Sequence, residues 1–272
     1  MRPLPGRLLL LGHPVAHSLS PRFQNAALRR AGIPLRYEAV DVAPADLGRT
    51  LEDLRALGAA GNVTIPHKKA AAVHCNELTP VAERAGAVNT FWVERGRLVG
   101  DNTDVGGFEA AVADLVGGEA AAARPRAVAL LGAGGAAAAV LAAVERWPGA
   151  RATIFNRSPE RARVLCDRFP SVARMSASAA DAVRGAQLIV NATAVGLAGE
   201  DMPVDPDLVD PASWVLDLVY RPGGTAWVRA LLRRGVAAID GTTVLLEQGA
   251  LAFERWFGIA PDRDVMRAAL TA

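Results

Sequence analysis

The stretch 127–144, AVALLGAGGAAAAVLAAV, decides the fold. It carries no charge and approaches membrane-spanning length, yet Gly132, Gly134 and Gly135 break it just past its first apolar run. Its pattern resolves into a buried strand at 127–131, a glycine turn at 132–135 and a helix at 136–146 rather than a membrane span. Glycines at a strand-to-helix turn let backbone N–H groups approach a pyrophosphate, whose charge suits the helix N-terminus. Ala137 stands where the common G-x-G-x-x-G has its third glycine, so the turn alone is a weak dinucleotide signal.

Downstream, residues 152–155 read as the next strand, and Ser158-Pro159-Glu160 has the chemistry of a helix start. Further strands are expected at 188–190 and 214–218, and a last one at 236–239 leads into a long helix at 242–257. The pattern is that of a doubly wound nucleotide-binding domain beginning in mid-chain. An NAD site would usually end its second strand with an acidic residue for the ribose 2′-hydroxyl. This chain instead has Asn156-Arg157-Ser158-Pro159-Glu160-Arg161. Two arginines and a hydroxyl at a helix start suit a 2′-phosphate, so NADP is the expected cofactor. A capped, solvated helix end is the structural alternative.

Upstream, residues 8–11 read as a buried strand that runs into Gly12-His13-Pro14. Ser20-Pro21 then opens a helix carrying Phe23, Ala27 and Leu28. A second strand is expected at 37–42, a helix at 45–57, and a third strand at 62–65 ended by Pro66. Residues 88–93 and 97–99 read as a hairpin turning at Arg95-Gly96, followed by a helix at 105–116 and a loose linker at 117–125. Strands alternating with helices imply a mainly parallel sheet with right-handed crossovers.

Composition narrows the function. A chain of 272 residues fits two domains, and 30 basic against 28 acidic side chains leave +2, too balanced for nucleic-acid binding by counterion release. The apolar run at 8–11 is too short for a signal-peptide core, and Cys75 and Cys166 match no metal spacing. The expectation is a soluble cytoplasmic protein, without metal, membrane or nucleic-acid partner, as monomer or homodimer. Of the 30 basic residues only Lys68 and Lys69 are lysine, the other 28 being arginine. Lysine can exchange a proton where arginine cannot, which singles out this pair unless codon bias explains it.

Three dense polar segments sit at strand ends, where open α/β sheets place their ligands. Ser18 and Ser20 offer two hydroxyls before a helix and suit a carboxylate, with N-capping by Ser20 as the alternative. Asn62-Val63-Thr64-Ile65-Pro66-His67-Lys68 ends on the rare lysine, and Gly100-Asp101-Asn102-Thr103-Asp104 supplies a carboxylate. Acid and amine together could relay a proton. Gln248 falls near the apolar face of the last long helix, where its amide needs either a substrate or a backbone carbonyl. Trp256 and Phe257 on that helix read as core, His13 and His74 as surface, and His67 as a neighbour with no assigned role.

Nine segments in order now carry a resemblance over essentially the whole chain. They are Gly12 to Pro21, Asn62 to Lys68, Gly86-Ala87-Val88-Asn89-Thr90, Asn102-Thr103-Asp104, Gly132 to Ala136, Asn156 to Arg161, Asn191-Ala192-Thr193-Ala194-Val195-Gly196, Asp217-Leu218-Val219-Tyr220-Arg221-Pro222 and Gln248-Gly249-Ala250. Together they resemble the shikimate dehydrogenase family, NADP-dependent enzymes of aromatic amino-acid biosynthesis. The resemblance implies an α/β substrate domain at 1–104, a Rossmann-like NADP-binding domain at 105–238 and C-terminal helices at 239–272 returning to the first. It implies reversible reduction of 3-dehydroshikimate to shikimate, with Lys68 and Asp104 as the catalytic pair. Ser18 and Ser20 would hold the substrate carboxylate. Thr64, Asn89, Tyr220 and Gln248 would contact ring hydroxyls or carboxylate, and Asn62 would shape the same pocket.

On the cofactor side, Gly132, Ala133, Gly134, Gly135 and Ala136 would take the pyrophosphate, with Asn156, Arg157, Ser158 and Arg161 on the phosphorylated ribose. Thr193, Leu218 and Gly241 would line the nicotinamide side. The chain departs from the family pattern at Gln24 (usually His), Ala138 (usually Arg), Ser158 (usually Thr) and Val244 (often Met). Alternatives are a quinate/shikimate dehydrogenase of broader specificity and a non-catalytic nucleotide-binding homologue.

Overall fold

The computed structural model describes residues 3–117 and 124–271, so most of the expected linker at 117–125 lies outside the described residues. The chain divides into two compact α/β units, residues 1–107 with 245–272 and residues 108–244. Among the described residues no helix is long and apolar enough to cross a membrane.

The first unit contains β1 (Leu8–Gly12), α1 (Ser20–Arg30), β2 (Tyr37–Asp41), α2 (Leu47–Ala56), β3 (Ala60–Val63), α3 (Lys68–His74), β4 (Glu77–Leu78), α4 (Pro80–Ala85), β5 (Thr90–Glu94) and β6 (Arg97–Asp101). Helix α5 (Asp104–Val116) begins in it and runs into the second unit. Four consecutive leucines in β1 are buried because the strand is central and covered on both faces. Leu8 and Leu10 pack with Phe23, Leu28 and Tyr37 on one face, and Leu9 and Leu11 with Leu51, Leu54, Phe91 and Leu98 on the other.

This sheet has the order β2-β1-β3-β5-β6-β4 and is mainly parallel, as the alternation of elements implies, with β5 alone running against the other five strands. The reason is the β5–β6 hairpin. Arg95 and Gly96 both take positive φ (52° and 74°), the twist that a two-residue turn needs, and β5 therefore runs antiparallel to β3 and to β6. The third strand also starts earlier than expected: Ala60 and Gly61 pair with Leu8 and Leu9, and the ladder ends at Val63.

The second unit contains β7 (Ala127–Leu131), α6 (Gly135–Val144), β8 (Arg151–Phe155), α7 (Pro159–Arg168), β9 (Ala173–Met175), α8 (Ala179–Val183), β10 (Leu188–Asn191), β11 (Trp214–Asp217), α9 (Ala226–Arg233) and β12 (Ala237–Ile239). Its sheet is wholly parallel, in the order β12-β11-β10-β7-β8-β9. That is the doubly wound topology, whose strand order reverses between β7 and β10. Helix α10 (Thr242–Phe257) starts in this unit and ends in the first, and α11 (Arg263–Thr271) belongs to the first. Phe253, Trp256, Phe257, Met266 and Leu270 complete the core around Phe23 and Tyr37.

Candidate active site

The first unit gathers its polar residues where β3 and β6 end and β5 begins. Lys68 is the first residue of α3 and Asp104 the first of α5. Their side chains meet, Nζ to Oδ2 at 2.5 Å, with side-chain exposures of 18% and 14%. An ammonium and a carboxylate so close and so little solvated can pass a proton to a third group without waiting for bulk water.

Asn89 organises the pair. Its Nδ2 lies within hydrogen-bond reach of Asp104 Oδ1 (2.8 Å), Thr103 Oγ1 (3.0 Å) and Gln248 Oε1 (3.2 Å), while its Oδ1 accepts from the Thr103 N–H at 2.7 Å. Two amide hydrogens face three acceptors, so either one hydrogen is shared between two of them or one acceptor goes without. Gln248 on α10 also donates to the Leu245 carbonyl at 2.8 Å.

Asn62 stands behind this layer, buried, with Nδ2 donating to the Asn89 carbonyl (3.0 Å) and to Thr90 Oγ1 (2.8 Å). Its Oδ1 accepts from the Tyr37 hydroxyl at 2.7 Å. Burial pushes the Tyr37 hydroxyl well above its ordinary pKa, which keeps it a donor. Both amide hydrogens of Asn62 are thus committed within the protein.

Ser18 Oγ accepts from the Ser20 N–H at 3.2 Å, while Leu19 caps α1 without a side-chain bond. The local helix-start interaction therefore belongs to Ser18 and not to Ser20. Thr64 is half-buried at the end of β3, its N–H bonded to the Leu11 carbonyl at 2.8 Å. His67 is fully buried and bonded to the Val42 carbonyl at 2.7 Å, a structural placement. At the departure Gln24, also fully buried, Nε2 donates to the Gly249 carbonyl at 2.9 Å and Oε1 has no partner among the described residues.

The second unit holds the remaining candidates. Gly132 has φ +115°, and a Cβ there would stand 2.7 Å from the Ala192 carbonyl oxygen, so only glycine fits. Gly134 caps α6, and a Cβ at its position would meet nothing within 4 Å. Glycine turn, open space and helix N-terminus together fit a pyrophosphate. Ala133 is buried, Gly135 and Ala136 are half-buried, and Ala138 is buried within α6. At the end of β8, Asn156 Nδ2 holds the Ser158 carbonyl at 2.9 Å, and Arg157 and Arg161 are exposed. Two exposed cations beside a helix start fit a 2′-phosphate.

Thr193 Oγ1 donates to Asn191 Oδ1 at 2.7 Å and accepts from the Val195 N–H at 3.1 Å. Leu218 follows β11, and a Cβ on Gly241 would stand 2.3 Å from the Leu218 carbonyl oxygen, so the two segments touch. Tyr220 is half-buried here in the second unit, and burial raises its hydroxyl pKa. Sequence reasoning missed Tyr37, Asp101, Asn191 and Asp217 as members of these networks. Asp101 is buried and accepts from Thr79 Oγ1 (2.5 Å) and Arg255 Nε (2.7 Å). The available signal was a polar residue closing an apolar strand, as Asn191 and Asp217 both do.

Residues 10–91 match the model of the shikimate dehydrogenase substrate binding domain, and residues 241–271 that of the shikimate 5′-dehydrogenase C-terminal domain. A shikimate dehydrogenase (NADP(+)) of Rubrobacter xylanophilus is 43% identical, the match covering 96% of this chain and 94% of that one. The crystal structure of shikimate 5-dehydrogenase from Thermus thermophilus in complex with NADP(H) and shikimate has a TM-score of 0.87 at 38% identity, covering 97% and 98% of the two chains. The shikimate dehydrogenase of Aquifex aeolicus has a TM-score of 0.90 at 33% identity, with 98% of each covered. With identity at this level along nearly its whole length, the chain belongs to the shikimate dehydrogenase family.

Proposed function

We propose that this chain interconverts 3-dehydroshikimate and shikimate with NADP, and that Lys68 and Asp104 manage the proton. The observation that carries the reading is the 2.5 Å contact between Lys68 Nζ and Asp104 Oδ2, held from the other side by Asn89. Bound NADP supplies or accepts the hydride. Reduction of the C3 carbonyl also requires one proton on oxygen, which Lys68 delivers; in the oxidation direction it takes that proton back. Asp104 holds the Lys68 side chain in place through their 2.5 Å contact.

Ser18 and Ser20 take the substrate carboxylate, and Thr64, Asn89, Gln248 and Tyr220 take hydroxyls or carboxylate. Asn62 supports Asn89 from behind. Gly132 to Ala136 would hold the pyrophosphate, Asn156, Arg157, Ser158 and Arg161 the phosphorylated ribose, and Thr193, Leu218 and Gly241 the nicotinamide. We place the protein in the cytoplasm, supported by two free cysteines, Cys75 and Cys166. Sedimentation distinguishes the expected monomer and homodimer.

The test is NADPH oxidation followed with and without 3-dehydroshikimate. Turnover that requires 3-dehydroshikimate and is lost in Lys68→Ala supports the reading. NADPH binding without turnover would identify a non-catalytic homologue.

A further inference from the structure

Asn191 and Asp217 are the last residues of adjacent strands β10 and β11, paired in register, and both are fully buried. Asn191 Nδ2 donates to Asp217 Oδ1 at 2.8 Å. No basic side chain among the described residues bonds to this carboxylate. Its partners are neutral: the Val219 N–H on Oδ1 at 3.0 Å and the Thr225 hydroxyl on Oδ2 at 2.8 Å. A buried polar pair without a counter-ion is costly unless all its bonds are made, so it is a rigid feature of the strand ends.

What hangs on the pair is specific. Asn191 Oδ1 accepts from both the N–H (3.0 Å) and the hydroxyl (2.7 Å) of Thr193, and its backbone carbonyl accepts from the Leu218 N–H at 2.9 Å. Val219, held by Asp217, accepts the Gly241 N–H on its carbonyl at 3.0 Å. Thr193, Leu218 and Gly241 thus each lie one or two hydrogen bonds from the same buried pair.

We propose that Asn191 and Asp217 are positioning residues for cofactor use: the pair sets, before NADP binds, the spacing of the three backbone segments that receive its nicotinamide half. This rests on the reading that Thr193, Leu218 and Gly241 line the nicotinamide side. Both residues of the pair are fully buried, so they act through these segments and not by direct contact. Its effect is to have those segments ordered in advance, so that binding does not have to order them.

The adenosine half is served by other residues, so the two halves can be assayed apart. In Asn191→Ala, the Kd for NADPH should rise about tenfold, the loss expected for a misplaced set of polar contacts. The emission change of NADPH on binding should shrink, and kcat should fall. The Kd for 2′,5′-ADP, which lacks the nicotinamide, should stay within about twofold of wild type. A merely structural role would weaken both ligands together, and that result, or wild-type NADPH binding in the variant, would overturn the proposal.

Should Asn191→Ala fail to fold, amide hydrogen exchange on the wild-type chain without cofactor decides the matter. The Thr193, Val195 and Val219 amides should exchange as slowly as those of β10, and rapid exchange would overturn the proposal. A wild-type chain that does not bind NADPH at all would instead remove the reading beneath it, and the inference with it.

Discussion

Asn89 donates to Oδ1 of Asp104 at 2.8 Å, on the carboxylate oxygen that Lys68 leaves free. Both oxygens of Asp104 are therefore held, and its partner Lys68 is the group left to move a proton. Lys68→Arg keeps the positive charge but not the ability to release a proton near neutral pH. It should lower kcat by on the order of 10²–10⁴-fold while NADP binding persists. Lys69→Arg, on the exposed neighbour, should be nearly silent. Near-normal turnover in Lys68→Arg would return Lys68 to the status of a simple cation; shikimate affinity, measured separately, accounts for crowding by the larger side chain.

Arg157 stands exposed just past β8 and is available to a phosphate on the ribose. A charge-assisted contact of this kind contributes about 1.5–3 kcal/mol. Arg157→Ala should raise KM for NADP about tenfold or more and leave the NAD value nearly unchanged. Equal losses with both cofactors would show that the arginine serves the fold.

The serine pair separates into two jobs. Ser18 Oγ makes the bond to the Ser20 N–H at the start of α1, so Ser18→Ala should lower thermal stability by about 1 kcal/mol. Ser20→Ala should cost less stability. Both variants should raise KM for shikimate, and an analogue without the carboxylate should bind wild type and double variant alike. Lower melting temperatures with unchanged KM would reduce the pair to a helix start.

Burial raises the pKa of the Asp217 carboxyl above the ordinary carboxylate value, more than its bonds from Thr225, Val219 and Asn191 lower it. The folded chain then holds this proton more tightly than the unfolded chain. The resulting stability is fully present below the ordinary value and is lost as pH rises through the raised one. Asp217→Asn lacks this titration. The melting temperature of the variant minus that of wild type should therefore increase between acid and neutral pH; a flat difference would mean that the carboxyl titrates alike in both states.

The glycine turn was legible in the sequence because its determinants are local: a strand, a position at Gly132 that only glycine can occupy, and a helix follow one another within a short stretch. The parallel order of the second sheet followed from the same strand–helix alternation. The mainly parallel order of the first sheet followed in the same way, but the reversal of β5 against β3 and β6 did not, because alternation says nothing about how a hairpin inserts. The Asn191–Asp217 bond spans 26 positions and the Asn89–Gln248 bond 159, and only strand register and the return of α10 bring these partners together. Gln248 was singled out as an amide on an apolar helix face, but that its oxygen meets Asn89 required the fold.

Half of the residues in the core around Phe23 and Tyr37 come from beyond position 245, including Phe253, Trp256, Phe257 and Met266. During synthesis the ribosome delivers that core in two instalments separated by the entire second unit. The N-terminal segment leaves the exit tunnel first yet lacks the side chains that would cover one face of β1, whereas residues 108–244 form one uninterrupted stretch. The usual order, in which the first-made domain closes first, is thereby reversed. The middle of the chain can fold while it is being made, and the segment bearing Lys68 and Asp104 reaches its final form only when the last helix is released.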